Sequence, residues 1–175
     1  MSNFKNKNVV ITGASRGIGL SIAKKLTKDG ANIAILAKTD VPHSKLPGTI
    51  FTAAKEIEEL GVKALPIKTD IRFDEQVEKA IEKIIHDFGS IDILVNNASA
   101  INLFNSETLP MKRYGHHQEL ANLAAYLVSD FSAYVNGEVM TIDGGEWVYN
   151  AGEFNKLRKV PKSAWSLLEK MTRKK

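Results

Sequence analysis

The sequence contains no cysteine among its 175 residues, and it has only 2 tryptophans and 5 prolines. Without cysteine, a disulfide scaffold, a thiolate metal site and a cysteine nucleophile are all excluded. No apolar run approaches the roughly 20 residues that a membrane-spanning helix needs. Residues 1–8 are mostly polar, and they lack the apolar segment of a secretory signal. We therefore expect a soluble, cytoplasmic protein with no membrane partner.

The positive charge of the chain is concentrated near its end. Residues 156–175 carry eight lysines and arginines against one acid, Glu169, within a net charge of +4 for the whole chain. Residues 1–155 therefore hold 16 basic and 19 acidic residues, a net charge of −3. A body with this balance lacks the basic face that nucleic-acid binding requires, so no nucleic-acid partner is expected. We predict one domain over residues 1–150 and a basic C-terminal extension over residues 151–175.

Short apolar runs alternate with helical stripes of apolar residues along the chain. The runs predict strands at 9–11, 33–37, 64–67 and 91–95, and the stripes predict helices at 18–30, 50–61, 73–89 and 120–128. A last strand is predicted at 138–142. Repeated strand–helix units of about 30 residues are typical of right-handed βαβ crossovers and a parallel sheet. The predicted fold class is α/β, a doubly wound parallel sheet of the Rossmann type in three layers, α/β/α.

A glycine-rich turn, TGASRGIG at residues 12–19, joins the first predicted strand to the first predicted helix. Glycine permits a tight turn, and it lets the backbone approach a bound group closely. The N-terminus of the following helix offers unpaired N–H groups and the positive end of the helix dipole to an anion. In this context the spacing of Gly13, Gly17 and Gly19 predicts a site for the pyrophosphate of a dinucleotide.

The end of the second strand indicates which dinucleotide is bound. An acid at this point would favour the ribose hydroxyls of NAD, whereas nearby cations favour the 2′-phosphate of NADP. The strand is followed by Lys38 and Thr39, no acid occurs before Asp40, and Arg16 lies in the glycine turn. We therefore predict NADP as the cofactor, with NAD as the less favoured alternative.

These motifs resemble the short-chain dehydrogenase/reductase family, and the resemblance spans about residues 5–147. It rests on TGASRGIG, on Asp70 after the third strand, on Asn96-Asn97-Ala98 after the fourth strand, and on Asp143-Gly144-Gly145. The family implies hydride transfer between a nicotinamide and a small-molecule substrate, either a carbonyl/alcohol or an enoyl-CoA-like compound, and a homodimer or homotetramer. Residues 12–114 resemble the hydroxysteroid dehydrogenase-like branch, and residues 115–156 resemble the 2,4-dienoyl-CoA reductase branch.

The resemblance also implies roles for particular residues. The pyrophosphate and the ribose would be held by the residues of the glycine turn, namely Gly13, Ser15, Arg16, Gly17, Ile18 and Gly19. Asp70 would approach the adenine, while Asn96 and Ala98 would line the adenosine side. Ser99 stands where the family has a further glycine, which is a mild departure from the pattern.

The catalytic residues that the family implies are missing from the sequence. They are a serine and a Tyr-x-x-x-Lys pair, in which the tyrosine acts as the acid or base. The positions four residues after Tyr114, Tyr126, Tyr134 and Tyr149 hold Gln118, Asp130, Glu138 and Glu153. No catalytic residue is therefore assigned. Adjacent histidines, His116 and His117, have no companion ligands nearby, so no metal site is predicted either.

The strand count indicates that two central βα units are absent near residues 114–115. Four strands are followed directly by a segment that resembles the end of the family's fold, a gap of roughly 60 residues at about 30 per unit. A last strand without neighbours would expose an unpaired edge, which favours an enzyme whose central segment lies outside this sequence. The unbroken numbering instead favours a catalytically silent nucleotide-binding module or a truncated remnant. The sequence leaves both interpretations open.

Overall fold

Four parallel strands form the sheet that organises the chain. The structure, a computed structural model, describes residues 4–42, 47–99, 109–146, 161, 163–165 and 169. Strands β1 (Asn8–Thr12), β2 (Asn32–Ala37), β3 (Ala64–Lys68) and β4 (Ile93–Val95) lie in the order β3-β2-β1-β4. Every neighbouring pair is parallel. This order is that of the first four strands of a doubly wound sheet, so the predicted fold class is confirmed.

The two central strands are buried on both faces. All five residues of β1 are buried, as are five of the six in β2. Strands covered by helices on both faces have continuous apolar sequences rather than alternating ones, which explains why these runs were readable in the sequence. Strand β4 is shorter than predicted, because pairing with β1 includes only Ile93 to Val95.

Within residues 4–42, 47–99 and 109–146, four α-helices connect or follow the strands, and each begins and ends close to its predicted position. They are α1 (Gly17–Lys28), α2 (Ile50–Glu58), α3 (Asp74–Phe88) and α4 (His117–Leu127). Gly89 follows α3 with φ +84°, a left-handed conformation that glycine adopts without the Cβ penalty of other residues. At its start, α2 is capped by Thr49, whose side chain accepts a hydrogen bond from the Thr52 N–H.

Helices cover the sheet on two sides and so form the three predicted layers. Side chains of α1, α2 and α4 pack against Val9, Ile11, Ile33 and Ile35 on one face of the sheet. On the opposite face, Ala80 and Ile84 of α3 pack against Val10, Ala34 and Leu36. Within the described part of the chain, three helices therefore serve the first face and one serves the second.

The predicted last strand is wrong. Residues 138–142 are described, and they form no strand. A strand is stable only when a neighbour pairs with its backbone groups, and the βα units that would supply that neighbour are the ones that the sequence lacks. The family-like motif after it forms a turn instead, in which the Gly145 N–H donates to Asp143 Oδ1 at 2.8 Å.

The chain divides into two compact units, of which the smaller includes residues 103–115 and 139–175. In the described part of this unit, the Met111 N–H donates to the Gly144 carbonyl at 3.3 Å, and Leu109 is buried. Most of the predicted extension, residues 151–175, lies outside the described residues; of those described, 163–165 and 169 are helical. Among the described residues, no helix combines the length and the apolar character needed to cross a membrane.

Candidate cofactor site

Residues predicted to bind the cofactor lie at the carboxyl edge of the sheet. Gly13 follows β1, Lys38 follows β2, Asp70 follows β3, and Asn96 and Ala98 follow β4. Parallel strands end at the same edge, so four separate parts of the sequence meet there. In doubly wound sheets ligands bind at this edge, close to the point where the strand order reverses. Here that point lies between β1 and β4.

Two glycines allow the turn after β1 to pack tightly against the end of β4. Gly13 has φ +71°, and a Cβ on it would lie 2.8 Å from the Ala98 Cα. A Cβ on Gly19 would lie 2.5 Å from Asn97 Nδ2 and 2.7 Å from the Gly13 carbonyl oxygen. Real Cβ atoms essentially never approach neighbouring atoms below 3.0 Å. Both positions therefore require glycine in this arrangement.

Asn97 ties the end of β4 to the glycine turn through hydrogen bonds. Its Nδ2 donates to the Thr12 carbonyl at 2.9 Å, and its backbone N–H donates to Thr12 Oγ1 at 2.9 Å. The Ala98 N–H donates to the same hydroxyl at 3.0 Å. Thr12 and Asn97 were not among the predicted site residues. The polar pair at the end of β4 was the available signal, but hydropathy cannot show which asparagine points back to the turn.

The N-terminus of α1 lies at this edge and has no side-chain cap. Arg16 is its N-cap residue, in an extended conformation with φ −168°, and its side chain makes no capping bond. No acid lies in the first turn, and Lys25 and Lys28 lie in the last. The helix dipole at this end is therefore left for an external anion, with the N–H groups of Gly17, Ile18 and Gly19 as the candidate donors.

Beside β2 and β3, the charged groups are already partly paired. Lys68 Nζ lies 2.9 Å from Asp40 Oδ2, and this hydrogen bond lowers the pKa of the Asp40 carboxyl. Lys38 is exposed. The first acid after β2 thus has its charge balanced by a lysine of the next strand, which the order of residues along the chain does not reveal.

Asp70 is held by an arginine two residues later. Arg72 Nε donates to Asp70 Oδ1 at 2.9 Å, and its Nη2 donates to Oδ2 at 2.5 Å. This guanidinium, helped by the Arg72 backbone N–H and by the charges of Arg72 and Lys38, lowers the pKa of Asp70 to about 2. The Asp70 N–H donates to Gln76 Oε1 at 2.9 Å. The carboxylate therefore stays ionised and oriented after β3.

One further residue reaches the turn from α4. The Cε1 atom of His117 lies 3.9 Å from the position that a Cβ on Gly17 would take. Both His116 and His117 are exposed, and packing of α4 on α1 brings the ring of His117 to Gly17. Among the described residues, no group of three or more histidines and carboxylates is arranged to hold a metal ion.

Comparisons with known proteins agree on the family and on the fold. The short chain dehydrogenase family model matches residues 7–129. Hydroxysteroid dehydrogenase-like protein 2 of Homo sapiens is 57% identical over 121 residues, which make up 69% of this chain and 29% of that protein. The chain thus spans less than a third of this curated relative. The predicted resemblance of residues 12–114 is confirmed, while that of residues 115–156 to 2,4-dienoyl-CoA reductases stays a prediction.

Solved structures support the same conclusion. A short chain dehydrogenase from Mycobacterium thermoresistibile is 58% identical with a TM-score of 0.56, and the match covers 63% of this chain and 40% of that one. L-Sorbose reductase from Gluconobacter frateurii has a TM-score of 0.72 at 20% identity, with 83% of this chain and 98% of that chain covered. At that identity the second likeness concerns the fold alone.

Proposed function

The chain belongs to the short-chain dehydrogenase family, and on that premise we propose that it binds NADP at the carboxyl edge of its sheet. The bound cofactor would serve hydride transfer between the nicotinamide and a carbonyl/alcohol or enoyl-CoA-like substrate. The observation that carries this proposal is the close contact of the glycine turn with Asn97 and Ala98, beside an α1 N-terminus that has no side-chain cap. Asn97 keeps that turn in place.

The pyrophosphate would bind at the N-terminus of α1. Backbone N–H groups of residues 17–19 would donate to its oxygens, since Arg16 caps the helix with no side-chain bond of its own. Ser15 and Gly13 would shape the turn on which the phosphates rest. The absence of an acid from the first helical turn removes the group that would repel them.

The choice of NADP is supported by the balance of charge beside β2. Arg16 and Lys38 supply two cations, and the ion pair with Lys68 balances the charge of Asp40. The 2′-phosphate of NADP would therefore meet a net positive charge beside β2. The ribose hydroxyls of NAD would find no unpaired carboxylate there to accept their hydrogen bonds. Asp70, Asn96 and Ala98 would line the adenosine side of the same cofactor.

The catalytic step itself requires residues that this sequence does not contain. No tyrosine has a lysine four residues later, so no acid–base pair of the family's type is available. That observation favours a second candidate function, a nucleotide-binding module without catalysis. Both candidates bind the cofactor, and turnover of it would separate them. A homodimer or homotetramer and a cytoplasmic location remain predictions from the sequence.

Titration with NADPH and NADH tests the cofactor proposal. Wild type should bind NADPH more tightly, and Arg16→Ala combined with Lys38→Asp should lower the NADPH/NADH affinity ratio at least about tenfold. The basis is that each charge-assisted hydrogen bond contributes about 1.5–3 kcal/mol. The matched control combines Lys28→Asp with Lys63→Ala, which changes the net charge equally but at the ends of α1 and β3 remote from the site. An unchanged ratio in the first variant would refute the assignment of NADP.

A further inference from the structure

Gly48, which lies in the loop between β2 and α2, approaches the glycine turn closely. A Cβ on Gly48 would lie 2.7 Å from the Ser15 carbonyl oxygen and 3.5 Å from the Arg16 Cβ. Gly48 also has φ +94°, in the left-handed region that favours glycine. The approach of Gly48 to the Ser15 carbonyl oxygen is therefore too close for any side chain, while a Cβ there would lie at ordinary contact distance from Arg16.

Hydrogen bonds fix the residues next to Gly48. The Ile50 N–H donates to the Thr39 carbonyl at 2.9 Å, which closes the base of the loop. Thr49 is only 3% exposed; its N–H donates to Thr52 Oγ1 at 2.8 Å, and its own hydroxyl accepts from the Thr52 N–H at 3.1 Å. The capped start of α2 therefore holds Gly48 against the glycine turn.

Arg16 is joined to its own helix through its carbonyl, which accepts a hydrogen bond from the Leu20 N–H at 3.3 Å. It precedes α1 in an extended conformation, and its side chain makes no capping bond. The Ser15 carbonyl, immediately before Arg16, is therefore the group through which Gly48 sets the position of this residue. We propose that Gly48 is a positioning residue that fixes Arg16 for the 2′-phosphate, so that it determines the preference for NADP although it does not itself contact the cofactor. This inference rests on the proposed NADP function.

The test compares Gly48→Ala with Gly61→Ala. Gly61 lies at the other end of α2 with φ +87°, and a Cβ on it would have nothing within 4 Å, so it carries the same backbone penalty without the contact. Gly48→Ala should raise the NADPH dissociation constant about tenfold, or roughly 1.4 kcal/mol, and the NADH constant much less. Gly61→Ala should leave both constants within about twofold, a factor that corresponds to under about 0.5 kcal/mol.

A double-mutant cycle separates positioning from general damage to the fold. In an Arg16→Ala background, Gly48→Ala should no longer change the NADPH/NADH ratio, because the residue through which it acts is gone. Should Gly48→Ala be too unstable to assay, Thr49→Ala replaces it, because loss of the cap loosens the same contact. It should lower the ratio in the same direction by a smaller factor.

The outcomes distinguish this inference from the function on which it rests. If wild type binds neither coenzyme, the proposed function fails and the inference fails with it. If wild type binds NADPH but Gly48→Ala behaves like Gly61→Ala, only the inference fails. An effect of Gly48→Ala that persists in the Arg16→Ala background would likewise overturn it, as would an unchanged ratio in the Thr49→Ala replacement.

Discussion

Strands β2 and β4 contribute leucines to the same face of the sheet, yet the two side chains have opposite environments. Leu36 in β2 is 2% exposed, and Leu94 in β4 is 55% exposed. Leu94 is paired in register with Val10, which packs with Leu36 beneath α3. The difference follows from packing within the described residues, where α3 covers β2 and β1 on this face and leaves Leu94 of β4 more than half exposed. The strands of the predicted adenosine half, β1 and β2, are thus buried, whereas β4, the first strand of the predicted substrate half, is not.

The largest effect expected from this difference is on stability. Leu36→Ala should lower the free energy of unfolding by about 2–5 kcal/mol, because it leaves a cavity in a packed core. Leu94→Ala removes the same atoms from a side chain that is already more than half exposed, so its cost should stay below about 1 kcal/mol. Urea unfolding followed by circular dichroism measures both.

If the two substitutions lowered the free energy of unfolding equally, the contrast between Leu36 and Leu94 would be contradicted. That result would mean that β4 is covered in solution, either by another copy of the chain or by a part of it outside the described residues. Repeating the Leu94→Ala measurement over a range of protein concentrations would tell these apart, because only association between copies depends on concentration.

The sequence predicts the adenosine half well because its signals are local. A buried parallel strand is a continuous apolar run, an amphipathic helix has its own period, and Gly13 and Gly19 lie where the two meet. The contacts of these glycines with Ala98 and Asn97, in contrast, are visible only in the structure. The strand expected at 138–142 was wrong because a strand depends on a partner distant in sequence. The motif Asp143-Gly144-Gly145 persists in the chain although its strand does not form.

The sequence also could not predict the parts of the site that depend on the direction of a side chain. The pair Asn96-Asn97 was visible, but only the structure shows that Asn97 reaches Thr12. The ion pair of Lys68 with Asp40 joins two neighbouring strands in a register that hydropathy does not give. The contact of Gly48 with Ser15 likewise joins two loops that are far apart in the sequence.

Asn97 provides the second prediction, since its side chain joins the end of β4 to the end of β1. Asn97→Ala should destabilise the fold by about 1–3 kcal/mol, because it leaves the Thr12 carbonyl without its donor. It should also raise the NADPH dissociation constant several-fold as the turn loosens. Thermal unfolding and coenzyme titration provide the two measurements.

The adjacent Asn96 is the matched control for this substitution. It is exposed, so Asn96→Ala should change stability by no more than about 0.5 kcal/mol. Any loss of NADPH affinity in that variant would then reflect its predicted place on the adenosine side. Equal destabilisation by the two substitutions would contradict the role given to Asn97.

The smallest expected effect concerns the pKa of Asp70, which forms an ion pair with Arg72 after β3. Its pKa of about 2 lies below the ordinary value of 3.8, chiefly because the Arg72 guanidinium hydrogen-bonds the carboxylate. A lowered pKa means that the contribution of this group to stability is present above about pH 3.8 and is lost as the pH falls toward 2. Arg72→Ala should therefore raise the midpoint of the Asp70 titration, followed by carboxyl carbon NMR, toward 3.8.

Asp92 supplies an internal reference in the same spectra. Its pKa is lowered mainly by the Asn8 backbone N–H and further by Lys7, neither of which Arg72→Ala alters, so its midpoint should not move. A shift of both carboxyls would indicate a general change of the fold, and a shift of neither would show that Arg72 does not hold Asp70. Because both groups are near the surface, added salt should weaken the charge contribution to the Asp70 shift. The hydrogen-bonded part should persist, which would show how far geometry rather than charge orients the Asp70 carboxylate.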